Sequence, residues 1–143
     1  MLHINKTGFQ NHPTPFYAYD LHLLRDTLHT AAKEAARYKY QVHYALKANA
    51  NDPVLAEMQK VGFGADCVSG NEVKKALVSG FKADKVVFAG VGKSDAEMTF
   101  ALQNDIFCFN VESLHELEVL NELAGSLGKK ARIIGIRRRG APQ

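Results

Sequence analysis

Five short runs rich in apolar, β-branched or aromatic residues, at 42–46, 64–69, 85–89, 106–110 and 132–137, alternate with segments whose apolar residues recur at helical spacing. The runs start 22, 21, 21 and 26 residues apart, the spacing of short βα units. Strands that are apolar throughout are buried on both faces, which predicts a parallel sheet covered by helices and an α/β fold.

The helix starts are marked by their chemistry. Asp20 is placed to cap a helix whose apolar face runs through Leu21, Leu24, Leu28, Ala31 and Ala35, and Asp52-Pro53 opens another carrying Val54, Leu55, Met58 and Val61. Ser69/Glu72, Ser94/Glu97 and Ser113/Glu116 match the capping box, in which a hydroxyl and a carboxylate three residues on each satisfy a free backbone N–H. Gly80 and Gly128 stand where C-terminal caps are expected. Residues 14–19 alternate like a short strand outside the repeat, at an edge or in another domain. Two closures suit five βα units: a doubly wound sheet, or the first five strands of a (β/α)8 TIM-type barrel. Composition does not choose between them, and a whole barrel takes about 250 residues.

Eighteen Lys and Arg against 15 Asp and Glu give a net charge of +3, and Arg132, Arg137, Arg138 and Arg139 lie in the last dozen residues. The remainder is near neutral, which argues against a nucleic-acid or membrane surface. Cys67 and Cys108 sit in apolar runs without metal-like spacing and read as reduced, buried thiols of a cytoplasmic protein. No apolar run approaches the roughly 18 residues of a spanning helix, and the start MLHINKTGF lacks an export profile.

Glycine-containing segments invite a nucleotide reading and fail it. Gly90-Val91-Gly92-Lys93-Ser94 ends like a P-loop, but Val87 occupies the position of the first glycine. Gly62-Phe63-Gly64 and Gly90-Val91-Gly92 lack the third glycine of a dinucleotide fingerprint. Among the six histidines only His22 and His29 share a helix face, two turns apart, and solvated or packed roles suit all six. The terminal arginines read as a solvated tail or an anion patch.

The informative element is Tyr44-Ala45-Leu46-Lys47-Ala48-Asn49. A lysine closes an apolar strand at its C-terminal end, where barrel enzymes place their chemistry. Partial desolvation there disfavours the ammonium form and makes the amine available for a Schiff base with an aldehyde cofactor. From spacing alone, a lysine snorkelling out of a strand end is the better reading.

The run from Tyr44 to Asn51 resembles the cofactor-lysine motif of the barrel-type pyridoxal-phosphate-dependent decarboxylases. The segments 62–72 (GFGADCVSGNE), 86–94 (VVFAGVGKS), 109–113 (FNVES) and 131–137 (ARIIGIR) follow in the order and spacing of the diaminopimelate decarboxylase family. The resemblance covers about residues 13–137 and corresponds to the N-terminal half of the family's chain, so that residues 1–143 read as the first five βα units of a pyridoxal-phosphate-binding barrel. It implies pyridoxal 5'-phosphate as cofactor, Lys47 as the residue bonded to it, Asp66 near the cofactor and that lysine, and Arg137 near the ring's phenolic oxygen. Ser69 and Glu72 shape the next helix start, and Glu112 belongs on the same rim.

The implied activity is decarboxylation of an amino acid, meso-diaminopimelate to L-lysine, in a homodimer; relatives act on ornithine, arginine or carboxynorspermidine. Asn71 stands where the family commonly has glycine, and residues 138–143 depart from its Val-Asn-Pro continuation. The later strands, the β domain and the groups that hold the cofactor's phosphate and ring nitrogen are expected beyond this sequence. A truncated, shifted or deliberately shortened frame is one expectation, and a non-catalytic or degenerate fragment is the alternative. On either account the chain by itself is expected to be inactive and, with open edges, to associate.

Overall fold

The computed structural model describes residues 6–136. From residue 21 onward helices and strands alternate: α1 (Leu21–Arg37), β1 (His43–Ala45), α2 (Asp52–Lys60), β2 (Gly64–Cys67), α3 (Gly70–Val78), β3 (Val86–Phe88), α4 (Asp95–Gln103), β4 (Cys108–Val111), α5 (Leu114–Ser126) and β5 (Ile133–Ile136). Four of the strands fall inside their apolar runs, and β4 runs one residue beyond its run, to Val111.

All pairings are parallel, and the strand order is β1-β2-β3-β4-β5. That order selects the closure. A doubly wound sheet reverses direction at a switch point, whereas strands added successively on one side build the wall of a barrel. The chain is thus an α/β fold of five consecutive units of a TIM-type barrel wall.

The main core lies between sheet and helices. Ala65, Cys67, Val86, Phe88, Phe109 and Val111 are buried on the sheet, and Leu55, Met58, Val73, Met98, Ala101 and Leu120 close over them. On the outermost helix, α1, only Leu28 is fully buried. Leu24 and Ala32 pack beside it and Ala31 faces solvent, so the apolar stripe steps by four at this point, one residue away from the predicted Ala31. Arg25 ties α1 to α2 through two bonds to Glu57, both 2.9 Å, and Lys60 reaches the same carboxylate at 2.8 Å.

Two expectations need correction. Residues 13–20 form no strand: an extended segment becomes a strand only by pairing with an edge, and β1 pairs with β2 alone among the described strands. Tyr17 consequently stands 90% exposed. Of the three capping boxes, only Ser94/Glu97 is complete. Ser69 and Ser113 accept from the N–H of Glu72 and Glu116, but those carboxylates reach one residue further back, to the N–H groups of Val68 and Glu112. Helix α2 begins at Asp52-Pro53 without a side-chain cap. Gly80 and Gly128, at φ +97° and +62°, take the left-handed conformation that ends α3 and α5. No described helix is long and apolar enough to cross a membrane.

Candidate functional site

Because the sheet is parallel, the C-terminal ends of all its strands share one rim. Lys47 lies two residues beyond Ala45, the last residue of β1, in a single 3-10 turn spanning Leu46–Ala48. Asp66, the penultimate residue of β2, is opposite Ala45 in register and opposite Val87 on its other side. Lys47 and Asp66 therefore belong to neighbouring strands at the same end of the wall. Glu112 directly follows β4 and joins that rim. Arg137 lies outside the described residues.

The turn around Lys47 is held from below. Leu46 is 1% exposed and anchors it in the core, while the Tyr44 hydroxyl donates to the Asn49 carbonyl at 3.2 Å. Burial raises the Tyr44 pKa above its ordinary value, which keeps the hydroxyl a donor at neutral pH. Asn49 Oδ1 accepts the Asn51 N–H at 3.0 Å. Lys47 itself is exposed and has no hydrogen bond or ion pair among the described residues. The partial burial expected for it is not found, because the turn rises beyond the sheet and the packed residue of the pair is Leu46.

Asp66 is half-buried and lines the concave side of the sheet together with His43, Val87, Cys108 and Asn110. Gly64 is required at the base of this surface: a Cβ there would stand 2.4 Å from both His43 Nδ1 and the Lys85 carbonyl oxygen. His43 Nδ1 is buried without a hydrogen-bond partner among the described residues, and its ring stacks on Phe107 at 6.0 Å. Cys67 and Cys108 are free and buried. Burial pushes their thiols up to about 12 and about 11, so they remain protonated and unreactive.

Lys93, left over from the failed P-loop match, has a packing role that spacing did not reveal. Its side chain is 1% exposed and its ammonium donates to the carbonyls of Gly90 and Asn110 and to Glu116. The available signal was the lysine directly before a helix-capping serine, together with a glutamate at the third position of the next helix.

A pyridoxal phosphate presents two ends to such a rim, an aldehyde and a phosphate. An aldehyde needs an accessible primary amine, and Lys47 supplies one. A phosphate needs free N–H donors. The first turns of α3, α4 and α5 each direct one N–H to their own capping serine and place a carboxylate, Glu72, Glu97 or Glu116, where a phosphate's charge would stand. Among the described residues, the rim fits the aldehyde end of the cofactor and not its phosphate end.

Comparison with known proteins agrees with this geometry. The model of the family described as pyridoxal-dependent decarboxylase, pyridoxal binding domain, matches residues 21–138. Diaminopimelate decarboxylase of Bacteroides thetaiotaomicron is 55% identical over 126 residues, covering 87% of this chain and 33% of that protein. The Vibrio cholerae enzyme of the same name is 47% identical over 120 residues, 84% of this chain and 29% of its own length. The crystal structure of Helicobacter pylori diaminopimelate decarboxylase complexed with L-lysine superposes with a TM-score of 0.83 at 43% identity, covering 90% of this chain and 33% of that one. The chain thus spans about a third of the length of the curated relatives it matches.

Proposed function

The chain belongs to the pyridoxal-dependent decarboxylase family, and from that premise we propose that it is the cofactor-anchoring part of a diaminopimelate decarboxylase, which converts meso-diaminopimelate to L-lysine and carbon dioxide. The observation that carries this reading is the free amine of Lys47 at the C-terminal rim beside the strand bearing Asp66. The names of its relatives favour this substrate over other amino acids.

Pyridoxal phosphate, when bound, supplies the electron sink for the carbon–carbon bond that breaks as carbon dioxide departs. Lys47 would hold the cofactor through its side-chain nitrogen and release it when the substrate's amine takes that place. Its exposure leaves that nitrogen within reach of an aldehyde. Asp66 supplies a negative charge at the rim that favours a cationic nitrogen nearby. By the family resemblance, Arg137 would serve the ring's phenolic oxygen. Buried, protonated thiols suit a cytoplasmic enzyme, and a homodimer is the assembly the family resemblance implies.

Borohydride reduction in the presence of pyridoxal phosphate, followed by peptide mapping, tests the assignment. The label is expected on Lys47 and absent from Lys47→Ala. Label spread over exposed lysines such as Lys33, Lys75 and Lys129 overturns it and favours the non-catalytic alternative. Carbon dioxide release from meso-diaminopimelate by the 143 residues alone is expected to match free cofactor, since each missing electrostatic or positioning group costs about 10²–10³ in rate.

A further inference from the structure

The connection between β3 and α4 holds both of its neighbours at the rim. On one side, Glu97 of α4 accepts the N–H of Gly70 at 2.7 Å, at the start of α3. Gly90, at φ +96°, passes so close to the preceding connection that a Cβ would stand 2.7 Å from the Val68 carbonyl oxygen. On the other side, the Lys93 ammonium lies 2.8 Å from the Asn110 carbonyl oxygen and 2.6 Å from Glu116 Oε1, and it also donates to the Gly90 carbonyl at 2.8 Å. The second oxygen of Glu116 accepts the Glu112 N–H at 3.2 Å.

An ammonium has three protons to donate, and here three acceptors take them. Lys93 is consequently closed to an anionic ligand, although it stands where a P-loop has its phosphate-binding lysine. A buried cation is retained only where its partners replace the lost water, so this arrangement fixes the positions of those partners as well as its own. Its partners are Gly90 in its own connection and, on either side of the next connection, Asn110 in β4 and Glu116 in the first turn of α5; Glu116 also holds the backbone of a rim residue, Glu112.

We propose that Lys93 is a positioning residue: it locks the β3–α4 and β4–α5 connections together and so sets the rim, Glu112 included, against the cofactor held at Lys47. The proposal rests on the reading of the rim as the cofactor end. Glu97 and Gly90 extend the same lock to the β2–α3 connection, so a disturbance at Lys93 reaches three of the four described connections at this end. The β1–α2 connection, which carries Lys47, takes no part in it.

The test uses the whole 143-residue chain with Lys93→Met, Glu116→Gln and the double substitution, read by amide hydrogen exchange and by circular dichroism of bound pyridoxal phosphate. Lys93→Met is expected to raise exchange about tenfold or more at residues 90–93 and 110–116, with α2 unchanged. The double variant is expected to exchange no faster than Lys93→Met, because the two groups act as one unit. Dichroism per bound cofactor is expected to fall in Lys93→Met at an equal folded fraction. Multiplicative effects of the two substitutions, or unchanged exchange at the rim, overturn the lock. Loosened connections with unchanged dichroism reduce Lys93 to a fold-holding role and overturn the positioning. If Lys93→Met does not fold, Glu116→Gln carries the test: it must speed exchange severalfold on both connections, and no change there overturns the proposal. Failure of the unsubstituted chain to label Lys47 sinks the functional reading by itself, while the exchange result still decides the lock.

Discussion

Two lysines follow parallel strands at the same rim, and their surroundings are opposite. Lys47, after β1, is exposed, sits in one 3-10 turn and precedes a helix whose N-cap side chain makes no capping bond. Lys93, after β3, is buried against three acceptors and precedes a helix with a complete capping box. The same side chain becomes a reagent or a brace according to whether its protons already have partners. Reactivity needs an amine that can shed its proton and move; a brace needs one that can do neither.

The largest expected effect tests that contrast directly. In borohydride trapping with pyridoxal phosphate, Lys47 is expected to outlabel Lys93 by at least about tenfold, because an imine forms only from an accessible free amine. Equal labelling of the two breaks the comparison.

Stability gives the opposite ranking. Lys93→Met strands the carboxylate of Glu116, which is itself only 11% exposed, and removing one partner of a buried pair commonly costs about 3–5 kcal/mol. Lys47→Met removes an exposed side chain without a described partner and is expected to stay within about 0.5 kcal/mol. Urea unfolding of the two variants measures both, and a loss at Lys47 rivalling that at Lys93 would show a hidden structural role for the first.

Acid sharpens the same distinction for carboxylates. Arg25 and then Lys60 hold the Glu57 carboxyl down at about 2, against an ordinary 4.5. A depressed folded-state pKa means that the unfolded chain binds the proton first, so this contribution is present above about pH 4.5 and is lost as the pH falls toward 2. Thermal midpoints measured across that window should fall more steeply for the unsubstituted chain than for Glu57→Gln, and parallel curves would remove Glu57 from the acid response.

Much of the scaffold was legible because its signals are local. Ser94 and Glu97 are three residues apart, Gly80 and Gly128 need only their own backbone angles, and each strand overlaps a contiguous apolar run. The place of Lys47 just after β1 was legible from the apolar run before it, whereas its exposure depended on what covers the turn. Lys93 escaped notice because its acceptors at Asn110 and Glu116 lie 17 and 23 residues away, across a register that only the folded sheet supplies. The alternation at 14–19 misled for the same reason: strand propensity is local, but a strand exists only against a partner.

The smallest expected effect separates the two connections at their helix starts. Ser94 Oγ accepts the Glu97 N–H and donates to Glu97 Oε2 at 2.8 Å, so Ser94→Ala removes a working cap and is expected to cost about 1 kcal/mol. Asn51 occupies the equivalent position before α2, yet its side chain caps nothing; Pro53 supplies the helix start by lacking an N–H that would need a partner. Asn51→Ala is therefore expected to change stability by no more than about 0.5 kcal/mol. Paired urea titrations resolve the difference. If Asn51→Ala costs as much as Ser94→Ala, the connection carrying Lys47 is as firmly fixed as the one carrying Lys93, and the free amine of Lys47 must then be explained by its exposure alone and not by a looser turn beneath it.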